Sequence, residues 1–309
     1  MQQRVTRFME NTHVSSAPGR VGRKHDKGES MAKKVLVTGA AGYIGQAAVK
    51  SLLDRGAQVT AVDVRQENID PRAEFRHLDL FQDDPEVFQH LGCPDVCLHM
   101  AWRNGFVHNA PSHMEDVSAH VRFLRQMMEG GLKQLAVMGT MHEVGYHEGA
   151  ITEDTPCKPQ SMYGIAKNAL RQTCELLAAQ HGAQLQWLRA YYIIGNDEKS
   201  NSIFAKILQA AQEGKTTFPL NSGKNRYDFI DLAELGEQLA ACVMQTEVLG
   251  IINCCTGQPV SLGERVEQFI RDHGLSLVPE YGAFPDRPYD SPGVWGDPGK
   301  IQQIMRREA

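Results

Sequence analysis

Tyr163 and Lys167 stand four residues apart in Tyr163-Gly164-Ile165-Ala166-Lys167, at the head of a stretch predicted to be helical to about His181. Residues at that spacing share one helix face, so a phenol and an ammonium point into the same space. A nearby ammonium favours phenolate and draws a tyrosine from its ordinary pKa of about 10 toward working pH. Such a pair can pass a proton to or from a hydroxyl while a hydride moves. Thr140 precedes Tyr163 by a loop-sized interval, and a hydroxyl there can hold the reacting oxygen by hydrogen bond. The spacing alone is also ordinary surface chemistry, so the rest of the chain must decide.

Hydride chemistry needs a carrier, and Gly39-Ala40-Ala41-Gly42-Tyr43-Ile44-Gly45 offers it a place. The apolar run Lys34 to Thr38 precedes this turn, and a helical stretch from Gln46 to Arg55 follows it. Strand, glycine turn and helix together form the context of a dinucleotide site. One glycine serves the tight turn, one the close approach to pyrophosphate and one the packing of helix on strand. The free N–H groups of the helix end then meet the phosphates. Gly39, Ala41, Gly42, Tyr43, Ile44 and Gly45 are accordingly the cofactor candidates of the turn. A second strand, Gln58 to Val62, ends at Asp63, where a carboxylate would hold ribose hydroxyls and repel a 2′-phosphate. NAD(H) is therefore expected over NADP(H), with Arg65 able to reverse part of that preference.

These groups need a scaffold, and the alternation of elements supplies one. Glu74 to Leu78 reads as a third strand ending near Asp79, Val96 to Met100 as a fourth and Gln134 to Met138 as a fifth, with a helix over Ser118 to Met128. Strands alternating with helices imply an α/β fold with a doubly wound parallel sheet. Asp79 and Leu80 fall beside the adenine, and Met100 and Ala101 reach the cofactor with Tyr163 and Lys167. Trp102, next along, faces the substrate.

Taken together, Thr38 to Gly45, Asp63, Thr140 and the Tyr163–Lys167 pair resemble the extended short-chain dehydrogenase/reductase family, in its nucleotide-sugar epimerase/dehydratase branch. The resemblance runs from Met31 to near the C-terminus. It implies a Rossmann domain over 31–190 and a mainly substrate-binding lobe over 191–309, with a return to the first domain around 225–255. It also implies catalytic roles for Thr140, Tyr163 and Lys167, and a homodimer packed through Asp116 to Met128 and Tyr163 to His181. Leu170, Cys174 and Leu177 would meet the partner subunit.

The chain departs from the family pattern at several points. Tyr192 stands where the family often has an Asn that contacts the substrate diphosphate. Arg226, in Arg226-Tyr227-Asp228-Phe229-Ile230, and Arg287 are the candidates for gripping that diphosphate instead. Sugar 4,6-dehydratases of the family place an acid directly after the Thr; Met141 stands there, which argues against dehydration. His142 is a substrate-side candidate, and two roles stay open for it and Glu143: proton transfer, or a sheltered structural pair. The expected activity is that of an NAD(P)-dependent reductase or dehydrogenase at C4 of a nucleotide-activated, deoxygenated sugar. A 4-epimerase that retains its NAD is the alternative, and a non-catalytic NAD-binding sensor, which would have no need of Tyr163 and Lys167, comes last.

The bulk composition agrees with a cytoplasmic enzyme. Of 309 residues, 42% are hydrophobic and 22% charged, and the net charge of -5 comes without a basic block, so no nucleic-acid partner is expected. No run approaches the roughly 20 apolar residues of a membrane helix, so no membrane is expected either. Seven cysteines, an odd number without a secretory leader, read as reduced thiols. No metal site is expected, and His108, His113 and His120 read as solvent-facing. Residues 1–30 carry scattered basic residues without apolar periodicity and read as a disordered extension. Lys27-Gly28-Glu29 can be encoded by a purine run like a ribosome-binding site, which makes Met31 the expected native start.

Overall fold

Seven short runs line up as a single parallel sheet in this computed structural model, which describes residues 32–195, 202–286 and 290–308. They are β1 (Lys34–Thr38), β2 (Gln58–Asp63), β3 (Glu74–His77), β4 (Val96–His99), β5 (Gln134–Thr140), β6 (Gln184–Ala190) and β7 (Gly250–Cys254). The order across the sheet is β7-β6-β5-β4-β1-β2-β3. Central strands are enclosed on both sides, as parallel sheets require, and every residue of β4 and β5 is buried. The expected residues 1–30 and Arg287 lie outside the described residues.

Alternation along β1 shows how the two faces are filled. Val35 and Val37 join a core with Val49 and Leu52 of α1 (Tyr43–Asp54) and Leu239 of a later helix, while Leu36 points to the opposite core. That second core is built from α2 (Ser112–Glu129) and α3 (Met162–His181), which pack against each other and supply Phe123, Leu124, Leu170 and Cys174. The later helix is α4 (Leu232–Met244), which lies against α1. Leu170 and Cys174 are both 0% exposed within this one chain. They are consumed by their own sheet, and the expectation that they meet a partner is corrected.

After β6 the chain leaves the sheet, and β7 returns to pair with β6. Between and beyond these strands, helices Ile203–Gln212 and Leu262–Asp272 share a third apolar cluster with Phe204, Ile207, Val266 and Phe269. All seven cysteines are free thiols. Among the described residues no helix is long and apolar enough to cross a membrane.

Candidate active site

The end of β1 is built for close backbone approach. Gly39 has a positive φ of 71°, and a Cβ there would lie 2.7 Å from the Ala101 nitrogen, so the turn can press against the segment that follows β4. A Cβ on Gly45 would lie 2.1 Å from the Gly39 carbonyl oxygen, so α1 packs onto the turn only because that residue is glycine. Gly42 begins α1 with no side-chain cap, and no acidic residue occupies the first turn. The helix end is thereby left to an outside anion. Thr38 Oγ1 accepts the N–H groups of Met100 (3.2 Å) and Ala101 (3.3 Å), which ties the ends of β1 and β4 together.

Asp63, at the end of β2, lies against this turn. Its Oδ2 accepts the Ala41 N–H at 3.0 Å and its Oδ1 the Arg65 N–H at 3.2 Å. Asp79 accepts the Phe81 N–H at 3.0 Å, and Leu80 is buried beside it. An open helix end for a pyrophosphate and a carboxylate at the tip of β2 fit NAD(H).

One strand further on, Thr140 ends β5 in a reciprocal cap. Its Oγ1 accepts the His142 N–H at 3.3 Å, and its own N–H goes to Glu143 Oε1 at 2.7 Å. The Thr140 hydroxyl lies close enough to the Tyr163 phenol to favour its ionised form. Tyr163 is held from below by its backbone: its N–H donates to the His108 carbonyl at 2.9 Å, and the preceding Met162 N–H donates to Asn109 Oδ1 at 3.2 Å. The loop between β4 and α2 therefore caps the helix on which Tyr163 stands. Lys167, one turn later and 2% exposed, donates from Nζ to the Met138 carbonyl at 2.8 Å. Thr140, Tyr163 and Lys167 thus gather at the carboxyl end of β5.

Their charge states differ from the expected lysine-driven phenolate. Burial pushes the Tyr163 phenol up to about 12, with the nearby Thr140 hydroxyl acting in the opposite direction. Burial also brings the Lys167 ammonium down to about 7, against the attraction of Glu143. Desolvation outweighs the neighbouring charge in both groups.

Glu143 is fully enclosed. Both carboxylate oxygens accept the Trp187 indole N–H at 2.9 Å, and Arg189, also 0% exposed, lies 3.5 Å away. Of the two roles left open for Glu143, these contacts make it a structural tie across β5 and β6. The His142 ring lies 4.3 Å from that of His108 and 6.0 Å from that of Tyr163, and burial lowers its pKa to about 4.

Trp102 is half-buried, edge-on to Tyr163 at 6.2 Å and with its ring face 4.0 Å from Lys167 Nζ. Tyr192 packs instead against Tyr227 (4.4 Å) and Phe229 (5.8 Å). Arg226 is exposed, donates to the Pro259 carbonyl at 2.8 Å, and lines a hollow of about 610 Å³ with Ser261 and Tyr281. The solvent-facing expectation fails for two histidines: His113 and His120 are 1% and 2% exposed, enclosed by α2 and the aromatic ring of Trp102. Asn109 and the His108 carbonyl went unnoticed in the sequence, since loop residues that cap a distant helix leave no local signal. Asp228, part of the Arg226 motif but given no role in the sequence reading, is wholly buried; it accepts from Thr256, Gly257 and Gly296 and so ties three C-terminal segments together.

Ligands of open parallel sheets bind outside the carboxyl ends of the strands, where the strand order reverses. In this chain that edge, between β1 and β4, carries both the glycine turn and the approach to Thr140 and Tyr163, which is the layout of an NAD-dependent oxidoreductase. Comparison with known proteins narrows the class: residues 35–255 match the model of the NAD dependent epimerase/dehydratase family, and the chain belongs to that family. It is 44% identical over 272 residues to a dTDP-6-deoxy-L-talose 4-dehydrogenase (NAD(+)) of Aggregatibacter actinomycetemcomitans, covering 85% of this chain and 98% of that one. It is 24% identical to a UDP-glucose 4-epimerase of Lactobacillus helveticus, covering 88% and 91%. Among solved structures, a UDP-N-acetylglucosamine 4-epimerase from Methanobrevibacter ruminantium has the same fold with a TM-score of 0.77 at 21% identity, covering 89% and 92%.

Proposed function

We propose that this chain interconverts a hydroxyl and a keto group at C4 of a dTDP-linked 6-deoxyhexose. The gathering of Thr140, Tyr163 and Lys167 at the carboxyl end of β5 carries this reading, because it sets a transferable proton beside a second hydroxyl at the cofactor end of the sheet. The likeness to the 6-deoxy-L-talose 4-dehydrogenase supports the substrate class. NAD, when bound, supplies the hydride acceptor or donor. Tyr163 moves the proton of the C4 oxygen, Thr140 orients that oxygen, and Lys167 supplies positive charge behind the phenol. Trp102 and His142 line the sugar side, and Arg226 faces the diphosphate, with Tyr192 in the aromatic wall between them. Met141, which has no acidic group, speaks against water elimination.

Purified chain given dTDP-6-deoxy-L-talose and NAD⁺ is expected to produce NADH, read at 340 nm, with a 4-keto sugar as the product. No NADH, together with conversion of UDP-glucose to UDP-galactose and no net cofactor turnover, would establish instead the 4-epimerase reading that the epimerase relatives support. We also infer a cytoplasmic homodimer, in keeping with seven free thiols and with an exposed apolar stripe on α3 that includes Ile165 and Leu176.

A further inference from the structure

A buried lysine beside an aromatic face and a file of histidines is a charge that the protein must hold in place. Lys167 Nζ donates to the Met138 carbonyl, and Trp102 presents its ring face 4.0 Å away. The indole is itself anchored. Its N–H donates to His113 Nδ1 at 3.0 Å, so His113 carries its hydrogen on Nε2, which donates to the Val107 carbonyl at 2.9 Å. His120 stacks on the same indole at 4.7 Å. We propose that Trp102 is a positioning residue for Lys167: its face holds the ammonium at the end of β5, and His113 fixes the angle of that face. The proposal rests on reading Lys167 as the lysine of the active site.

The physical basis is that an ammonium removed from water is attracted by the negative face of an indole, most strongly in a dry setting. Other groups act on the same charge. Glu143 after β5 and Cys174 of α3 favour the ammonium, while His99 at the end of β4 and His120 of α2 are disfavoured from protonating by it and stay neutral. Only Trp102 touches Nζ face-on among the described residues. Burial alone drives the lysine toward the neutral amine, so losing the ring should let its titration fall further.

The test is the titration of Lys167 in the cofactor-free chain, read by NMR of ¹³C-labelled lysine and assigned with Lys167→Met. In Trp102→Leu the midpoint should fall by about one unit, and in Trp102→Phe, which keeps an aromatic face, by less than half of that. His113→Phe, which removes the anchor but leaves the indole, should lower it in the same direction. Because Trp102→Leu removes core contacts, a shape-preserving measurement accompanies it: uniform 5-fluorotryptophan labelling weakens the ring face without changing the fold. The chain has three tryptophans, so the labelling is repeated in Trp102→Phe, where the fall in midpoint should vanish. An unchanged midpoint in folded Trp102→Leu, or a fluorine effect that persists in Trp102→Phe, overturns the proposal. Full turnover in Lys167→Met would overturn the reading of the site while leaving the titration to decide on Trp102.

Discussion

Burial acts against both members of the Tyr163–Lys167 pair, raising the phenol to about 12 and lowering the ammonium to about 7. At neutral pH the phenol therefore carries its proton, and under the proposed function it gives that proton to a carbonyl oxygen that Thr140 orients. Tyr163→Phe keeps the ring among His108, His113 and Trp102 but removes the proton. Turnover should drop by about 10²–10⁴-fold, while calorimetry shows NAD binding unchanged; turnover near that of the unaltered chain would refute the assignment. In the proposed site Asp63 belongs to the other end of the cofactor. Its two oxygens already hold backbone N–H groups of Ala41 and Arg65, so an alanine would loosen the turn as well as remove charge. Asp63→Asn keeps an acceptor and removes the repulsion of a 2′-phosphate, so the ratio of kcat/KM for NAD over NADP should shrink. An unchanged ratio would show that the carboxylate does not select the cofactor.

At the scale of elements, a file of neutral side chains joins three of them. Thr38 Oγ1 accepts two backbone N–H groups, so its own hydrogen goes to His99 Nδ1 at 2.9 Å; His99 Nε2 then donates to His120 Nδ1 at 3.0 Å. This order requires both rings to be neutral, and burial lowers their pKa values, to about 3 for His120. His142 is lowered likewise, to about 4. An unfolded chain binds these protons below pH 6.5 and the folded chain does not. Stability is therefore complete above that pH and is lost as pH falls toward the folded values, by about 1.4 kcal/mol per pH unit for each histidine. Urea unfolding at fixed protein concentration should show this slope between pH 6.5 and 5. His120→Gln, which still accepts from His99, should reduce it by about one proton, and an undiminished slope would mean that His120 is protonated in the fold. These histidines also mark where sequence reasoning ran out. The glycine turn, Asp63, Thr140 and the Tyr163–Lys167 pair were legible because each depends on short-range spacing, and all lie at the carboxyl edge of the sheet. Helix α2 begins at Ser112 rather than Ser118, because the residues that its added turns bury are His113 and Asp116. An apolar period cannot find a helix face made of polar groups paired with one another, as Asp116 is with Arg103 at 2.6 Å. For the same reason the role of Glu143 stayed open between proton transfer and structure, since its partners Trp187 and Arg189 arrive from a strand more than 40 residues away.

For the whole molecule, the question is which apolar surface is left once the chain has filled its own core. Leu170, Cys174 and Ala178 of α3 lie at 0%, 0% and 4% exposure against the sheet and α2, so they are closed to any partner. The opposite face of the same helix leaves Met162 at 39%, Ile165 at 43% and Leu176 at 67% exposure, with Ala169 half-buried between them. Positions 162, 165, 169 and 176 recur at three, four and seven residues, so they form one stripe along α3. Met114, 47% exposed on α2, adds to the apolar surface of the neighbouring helix. Two copies related by a two-fold axis can bring α2 and α3 of each into a four-helix contact that covers this stripe. A stripe of this kind is otherwise an unfavourable surface in water. Leu176→Asp changes a side chain that has few contacts within its own subunit, so its folding should survive where that of Leu170→Asp would not. Light scattering at micromolar concentration should give a dimer mass for the unaltered chain and a monomer mass for Leu176→Asp, with circular dichroism unchanged. A monomer mass for the unaltered chain would refute the dimer. A dimer that persists in both Leu176→Asp and Ile165→Asp would move the interface off α3.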